Sequence, residues 1–350
     1  MIGFLKKIVI KAANPRATLP SVAIRPRVLD VNPFVERFSR AVEKAGYSTV
    51  EFRESLSEII DYSAIIFHWP DEFFTPKRLA VSFRLLLKLR IAKLFGTKII
   101  WVAHNRRAHD NDAHHQWIGA GFISLLDGVI YLSQSSRDLV RSDIAIPSSA
   151  RELVTVHGTY RLADKREIVA AEGPVSLLNF GLVRPYKNID VLVSAARAMD
   201  PSEAHLTVAG KRHDAVLAAK IEADIRTVGH ITADFRDDII NDDELERMID
   251  AHDGVVLPYR DILNSGSALQ ALSRNKPVLV PSTGSMPELQ NDLGKEWIYL
   301  YEGSLNASHL RSFCERIRRD HRPTHPNLTA YSWQRVSDDL GPFLQLITKQ

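Results

Sequence analysis

The chain has 350 residues, which is enough for two domains at roughly 100–200 residues each. Hydrophobic residues make up 45% and charged residues 25% of it, as in ordinary globular proteins, and a net charge of +3 is too small to indicate nucleic-acid binding. The one cysteine, Cys314, excludes a disulfide framework and a cysteine-based zinc site.

The first half alternates short apolar runs with helical patterns, which predicts a parallel sheet built from right-handed crossovers. Residues 7–11 read as a first strand and not as part of a secretory signal, because no small-residue cleavage site follows. A polar loop with Pro15, Pro20 and Pro26 comes next. Further strands are predicted at residues 48–52, 62–68, 98–103, 128–132 and 153–157, and helices at about 33–45 and 135–141.

Residues 77–98 carry seven basic side chains and no acidic one, interleaved with leucine, valine, isoleucine and phenylalanine. This pattern is typical of a basic amphipathic helix that binds an anionic membrane surface. The alternative is a partly buried helix with a solvated basic face. No segment reaches the ~18 uncharged apolar residues needed to span a bilayer, so we expect any membrane contact to be peripheral.

The second half starts a new alternation after residues 172–174. Strands are predicted at residues 176–180, 205–209, 254–258, 277–281 and 297–301, helices at 187–199, 215–223, 242–251 and 267–273, and a polar loop after 227–230. We therefore expect an α/β protein with two Rossmann-like, doubly wound domains (residues 1–165 and 166–330) and a last helix (331–350) that packs back on the first. Open α/β sheets bind ligands at the carboxyl ends of their strands, so the cleft between the sheets is the expected site.

The segment NFGLVRPYKN, residues 179–188, follows a predicted strand and opens a helix. Gly181 permits a tight turn, and Arg184 and Lys187 then stand near a helix N-terminus, where free N–H groups and the helix dipole favour an anion. Arginine and lysine are the usual phosphate-binding side chains. The pattern therefore predicts a diphosphate site, although strand–glycine–helix segments with a lysine also occur without one.

A second loop, within residues 257–281, offers small hydrogen-bonding groups at the same edge of the same sheet. These are Asn264, Ser265, Gly266 and Ser267, with Gln270 in the first turn of the helix that follows. The alternative is a capped structural helix. Two such loops facing one cleft suit a nucleotide diphosphate-sugar better than a single anion.

Six segments carry a resemblance over most of the chain, in family order: residues 68–74 (HWPDEFF), 103–110 (AHNRRAHD), 157–161 (HGTYR), 180–192, 255–281 and 298–303 (IYLYEG). With them the chain resembles GT-B glycosyltransferases, and more closely the bacterial β-1,4-mannosyltransferases of xanthan-type exopolysaccharide assembly. The resemblance implies the GT-B fold, transfer of mannose from GDP-mannose with inversion, and an acceptor oligosaccharide on polyprenyl diphosphate. It also implies a cytoplasmic protein, peripheral on the inner face of the plasma membrane.

The resemblance places the donor in the second domain and the acceptor in the first. The expected donor-binding residues are Gly181, Arg184, Lys187, Lys211, Tyr259, Asn264, Ser265, Gly266, Ser267 and Gln270, and the expected acceptor-binding residues are His68, Trp69, Asn105 and His109. Leu182 stands where many retaining GT-B enzymes carry arginine, and Ile262 and Gln270 stand where they carry glutamates. These departures favour an inverting relative.

Inverting transfer needs a general base in the first domain and charge stabilisation on the leaving diphosphate. Asp71 ranks first as the base, because it follows the strand that ends at His68. His104 ranks second, after the strand at 98–103, and Asp110 with His109 ranks third. We expect neither a metal nor another cofactor, since the paired aspartates read as solvated loop or cap residues (Asp237, Asp238, Asp242, Asp243).

Three alternatives belong to other classes or other donors. A dinucleotide-dependent oxidoreductase would need G-x-G-x-x-G after the first strand, where this chain has AANPRATLP. A non-catalytic sugar-binding protein with a degenerate GT-B fold stays open, because the glutamates are missing. A glycosyltransferase that uses UDP-glucose or UDP-glucuronate also stays open.

Overall fold

The computed structural model describes residues 19–28, 32–74, 79–105, 116–164 and 173–349. The strand predicted at residues 7–11 lies outside them. Two six-stranded sheets, both parallel throughout, occupy the two halves of the described chain.

The first half forms one sheet from β1 (Ser21–Arg25), β2 (Ser48–Glu51), β3 (Ala64–Phe67), β4 (Lys98–Ala103), β5 (Gly128–Tyr131) and β6 (Arg151–Val154). Its described helices are α1 (Phe34–Lys44), α2 (Leu56–Ile59), α3 (Asp71–Phe74), α4 (Leu79–Leu94), α5 (Gln116–Ile123) and α6 (Gln134–Asp143). The strand order is β2-β1-β3-β4-β5-β6. β3, β4 and β5 are buried along their length apart from Lys98, as central strands covered on both faces must be.

The second half forms a sheet from β7 (Val175–Phe180), β8 (Ala204–Lys211), β9 (Ile231–Arg236), β10 (Gly254–Val256), β11 (Val278–Pro281) and β12 (Ile298–Tyr301). Its helices are α7 (Ile189–Arg197), α8 (Ala215–Ile225), α9 (Asp242–Asp250), α10 (Gly266–Ser273), α11 (Met286–Leu293) and α12 (Ala307–Arg319). The order β12-β11-β10-β7-β8-β9 is that of doubly wound nucleotide-binding sheets, whose switch point lies between β7 and β10.

The last helix, α13 (Trp333–Thr348), packs against α1 and beside β6 in the first half. The two segments that connect the halves are hydrogen-bonded to each other. Thr159 N–H donates to the Tyr331 carbonyl at 2.9 Å, and Trp333 Nε1–H donates to the Thr159 carbonyl at 2.7 Å.

Two predicted loops are strands. β1 lies inside its sheet with Val22, Ala23 and Ile24 fully buried, so the polar loop predicted around Pro20 and Pro26 is wrong. The prolines flank the strand and donate nothing to the ladder, and Pro20 contributes only its carbonyl, which accepts from Ser48 N–H at 3.1 Å. β9 is the second, where we predicted a polar loop. It is an edge strand whose exposed and half-buried positions carry Thr232, Asp234 and Arg236, so its apolar signal is weak.

The basic segment contains α4, whose buried face includes Leu85, Leu86 and Leu89. The rest of the helix does not follow the simple amphipathic pattern that we predicted. Its solvent side carries an apolar strip (Leu79, Phe83, Leu87 and Leu94), and a basic strip (Arg84 and Lys88) runs beside it. The Phe83 ring lies 6.1 Å from the exposed ring of Trp117 on α5. Among the described residues, no helix is long and apolar enough to cross a bilayer.

Candidate functional site

A cleft of about 300 Å³ lies where the carboxyl ends of both sheets face each other. Both halves line it. From the second half it takes Gly181, Lys187, Lys211, Tyr259, Asn264, Ser265, Gly266, Ser267 and Gln270, and from the first half Trp69, His104 and Asn105. The structure thus brings together at one cleft most of the side chains that we expected to bind donor and acceptor.

Lys187 is a buried cation at the end of a short 3₁₀ turn (Pro185–Lys187) that follows β7. Gly181 has φ +116°, and a Cβ there would lie 2.3 Å from Lys187 Nζ, so only glycine leaves room for the ammonium. Nζ donates to the Phe180 carbonyl at 3.4 Å and lies 5.6 Å from the centre of the Tyr259 ring. Burial, and secondarily the charge of Arg184, lower the pKa of Lys187 to about 8. An anion in the cleft would stabilise its charged form.

Arg184 does not line the cleft with Lys187. Its guanidinium lies 3.0 Å from His213 Nε2. Leu182, which stands where many retaining GT-B enzymes carry arginine, lines the cleft instead. Of the two cations in the segment 179–188, the structure therefore puts only Lys187 at the cleft.

The start of α10 also lines the cleft from the second half. The Ser265 hydroxyl caps the helix by accepting from Ala268 N–H at 3.0 Å. Gly266 and Ser267 are the first two residues of the helix, whose N–H groups have no partner within it. The buried Tyr259 also lines the cleft, and its ring stacks on that of Tyr186 with the centroids 6.2 Å apart. The amino end of this helix, Tyr259 and Lys187 thus line the same cleft, with Lys187 Nζ 5.6 Å from the centre of the Tyr259 ring.

Three histidines of the first half surround the buried ring of Phe34. Its centroid lies 5.9 Å from His68, 5.0 Å from His104 and 4.5 Å from His157. His68 Nδ1 and His104 Nε2 are hydrogen-bonded at 2.9 Å, and the Trp69 ring stacks on that of His104 with the centroids 4.5 Å apart. Burial lowers the pKa of His68 to about 3 and that of His104 well below its usual value. The pair is therefore neutral at pH 7.

His157 is the functional candidate that sequence reasoning missed. Its Nδ1 lies 3.0 Å from the Gly158 carbonyl, which can only accept, so Nδ1 carries the proton and Nε2 keeps its lone pair. A Cβ on Gly266 would lie 3.1 Å from this Nε2, which places the lone pair beside the start of α10. Burial lowers the pKa of His157 to about 4. The segment HGTYR pointed to this residue only as part of the resemblance.

The far side of the cleft, beyond Lys211, was also missed. It is lined by Ile239, Ile240, Asp242 and Leu245, which follow β9. Because β9 was predicted as a loop, nothing in the sequence indicated that these residues stand at a strand end. Asn32 of the first half and Tyr160, shortly after β6, also line the cleft.

Some predicted residues do not line the cleft. Asp71 is exposed at the start of α3, outside the described lining, and His68 is buried behind His104. Asp110 and His109 lie outside the described residues.

No group of three or more histidine, cysteine or carboxylate side chains within the described ranges could hold a metal ion. Asp242 and Asp243 lie in the first turn of α9, where carboxylates stabilise the helix N-terminus. Asp243 also pairs with Arg161 at 3.0 Å, and the exposed Asp237 lies 3.7 Å from Arg212.

Comparison with known proteins supports the resemblance. The sequence model for "Glycosyl transferases group 1" matches residues 174–310. The GDP-mannose:glycolipid 4-beta-D-mannosyltransferase of Xanthomonas campestris pv. campestris is 27% identical over 334 residues, which cover 93% of this chain and 91% of the relative.

Two solved structures show the same fold. A glycosyltransferase from Rickettsia africae ESF-5 has a TM-score of 0.67 at 11% identity, covering 95% of this chain and all (100%) of that one. Anabaena HepE in complex with UDP-glucose has a TM-score of 0.62 at 11% identity, covering 95% of this chain and 98% of that one. The predicted GT-B architecture is confirmed.

Proposed function

Since the chain is a glycosyltransferase with the GT-B fold, we propose that it moves mannose from GDP-mannose, with inversion, onto an oligosaccharide carried by polyprenyl diphosphate in exopolysaccharide assembly. The observation that carries this proposal is the likeness to the Xanthomonas mannosyltransferase over 93% of the chain. The cleft supports it, because cationic and helix-end groups lie on one side and neutral histidines on the other.

In this proposal the diphosphate lies between Lys187 and the start of α10. The leaving group gains negative charge as the bond from the anomeric carbon to the phosphate oxygen breaks. A buried ammonium and two free backbone N–H groups are already in place to stabilise that charge, and fixed donors of this kind act without reorganising. No step in the proposal uses a metal or another cofactor.

His104 is the proposed general base. The acceptor hydroxyl attacks the anomeric carbon from the face opposite the diphosphate and gives its proton to the imidazole, while GDP leaves with the bonding electron pair. His104 lines the cleft and burial keeps it neutral, so its lone pair is available. When Nε2–H of His104 donates to Nδ1 of His68, the free lone pair is on Nδ1. Trp69 and Asn105 beside it are the proposed acceptor contacts, with His68 behind.

A ligand panel tests the donor. Thermal unfolding is measured with GDP-mannose, GDP, UDP-glucose and UDP-glucuronate, where a ligand at about 100 times its dissociation constant adds about 2.7 kcal/mol of stability. Stabilisation by GDP compounds supports the proposal, and stabilisation by UDP compounds alone overturns the guanine assignment. Nucleotide binding with no turnover of any sugar nucleotide on a lipid-linked acceptor would indicate a non-catalytic sugar-binding protein.

The base assignment has a test of its own. His104→Ala and Asp71→Asn are assayed separately with donor and acceptor. His104→Ala should lower kcat by about 10²–10⁴-fold, and Asp71→Asn should leave it within about twofold because its side chain is outside the cleft lining. Near wild-type turnover of His104→Ala, or a large loss of turnover in Asp71→Asn, would overturn the assignment of His104 as the general base.

The solvent side of α4 is the proposed docking surface for the membrane that carries the acceptor. The apolar strip can enter the headgroup region while the basic strip, Arg84 and Lys88, meets anionic lipids. Replacing Phe83 and Leu87 by serine should release the protein from vesicles of phosphatidylglycerol and phosphatidylcholine. Val216→Ser, at an apolar side chain of the second half that is 82% exposed, is the control. Undiminished co-sedimentation of the double variant would exclude this surface.

A further inference from the structure

The loop after β10 is fastened to the loop after β11. Ser285 N–H donates to the Leu263 carbonyl at 3.0 Å, just before α11 begins. Glu288, in the first turn of α11, therefore keeps a fixed position relative to Leu263 and Asn264. Together these three residues form what we call the donor-loop clasp.

The clasp binds the amino end of α6 in the other half. Both oxygens of Glu288 accept from this helix end: Oε1 from Gln134 N–H at 3.0 Å and Oε2 from Ser135 N–H at 2.7 Å. A helix start exposes such N–H groups and favours negative charge. In many nucleotide-binding folds a ligand occupies this position after a strand. Here a carboxylate of the same chain does.

Asn264 makes the second polar contact of the clasp. Its Oδ1 accepts from the hydroxyl of the fully buried Ser136 at 2.8 Å and from that of Ser133 at 3.3 Å. Among described residues its buried Nδ2 has no hydrogen-bond partner, so an oxygen of a bound ligand could satisfy it. Leu263 is 3% exposed and belongs to the apolar cluster of the first half, together with Val140 of α6.

We infer that Ser136 is a positioning residue for the donor, acting through Asn264. The loop of residues 264–267 takes the conformation that binds the donor only when α6, in the first half, holds the side chains of Asn264 and Glu288. Donor affinity is therefore set partly by residues that never touch the donor and that belong to the other half. This inference rests on the proposed function, since it assumes that residues 264–267 bind the donor.

A double-mutant cycle tests the inference in the full chain. The dissociation constant of GDP, or of whichever nucleoside diphosphate wild type binds, is measured by calorimetry for wild type, Ser136→Ala, Asn264→Ala and the pair. Ser136→Ala should weaken binding about tenfold. In the Asn264→Ala background Ser136→Ala should have almost no effect, because the amide through which Ser136 acts on the donor is already missing. Glu288→Gln should raise the donor KM more than the acceptor KM.

Two variants outside the clasp serve as controls. Ser142→Ala lies on the same helix, where its exposed hydroxyl contacts only its own helix and the adjacent Asp143, and Glu302→Gln is exposed in the second half. Both should bind nucleotide as wild type does. Independent, additive losses from Ser136→Ala and Asn264→Ala overturn this inference alone, as does a Ser136→Ala affinity equal to wild type. Failure of wild type to bind any nucleoside diphosphate overturns the proposed function as well.

Discussion

Replacing Lys187 by methionine should make the protein more stable and less able to bind its donor. Methionine keeps the length of the apolar stem but removes a charge from a site that is 6% exposed. Lowering the pKa of Lys187 from 10.5 to about 8 corresponds to about 3 kcal/mol of free energy. That is an upper value for the gain in unfolding free energy at pH 7, and it raises Tm by several degrees.

The pH dependence follows from the direction of the pKa change. Below pH 8 the ammonium is charged in the folded and the unfolded chain, and the folded chain bears the full cost of burying it. Between pH 8 and 10.5 the unfolded chain holds more protons, so wild-type stability rises with pH. The stability advantage of Lys187→Met should therefore shrink over this interval and vanish above it.

Donor binding should change in the opposite direction. A charged hydrogen bond contributes about 1.5–3 kcal/mol, so GDP should bind Lys187→Met about 10- to 100-fold more weakly. Wild type should also take up protons when it binds GDP near pH 8, and the variant should not. Calorimetric scans with and without GDP measure both effects, with the exposed Lys220→Met on α8 as the control. A variant that binds GDP like wild type, or that is less stable at pH 7, would refute the reasoning.

Further predictions concern His104, Gly266 and Phe34. Because burial lowers the pKa of His104, kcat/KM should be flat between about pH 6 and 7.5 and fall only in stronger acid; a limb near 6.5 would contradict a neutral histidine. Gly266→Ala should weaken donor binding at least about tenfold, since its Cβ would lie 2.8 Å from Tyr160 Oη, whereas Gly229→Ala, with nothing within 4 Å, should not. Phe34→Ala should lower the unfolding free energy by about 3–5 kcal/mol, measured by denaturant, and a loss below about 1 kcal/mol would show that its ring is not the support of the histidines.

The local part of this site could be predicted from the sequence. A glycine and a lysine after a strand, and a serine-rich start of a helix after another strand, predict an anion site from backbone chemistry alone. Both lie on one sheet, so their meeting at its edge follows from parallel topology. Two doubly wound α/β domains were likewise predictable, because buried parallel strands and crossover helices leave strong apolar runs, and the resemblance of six segments then indicated the GT-B class.

The remaining features depend on contacts between distant segments. The tautomer of His157 follows from a carbonyl one residue away, but its place beside Gly266 needs both halves. The bond between His68 and His104 joins residues 36 positions apart, and that between Ser135 and Glu288 joins residues 153 apart. The prediction missed β1 for a local reason, because the prolines on either side of it gave a stronger turn signal than the five strand residues gave a strand signal. The position of Arg184 outside the cleft lining could not be predicted, because a helix-start position does not determine where a long side chain points.

The crossing at Thr159 has a mechanical consequence. The chain passes between the halves twice, after β6 and before α13, and the two passages are hydrogen-bonded to each other through Thr159, Tyr331 and Trp333. Two adjacent tethers act as a hinge. Rotation about the line through them would separate the two walls of the cleft only when the contacts of Asn264 and Glu288 with α6 are released, whereas sliding or twisting would stretch one tether against the other. We therefore expect the two tethers to keep the two walls of the cleft in the same register when those contacts are released.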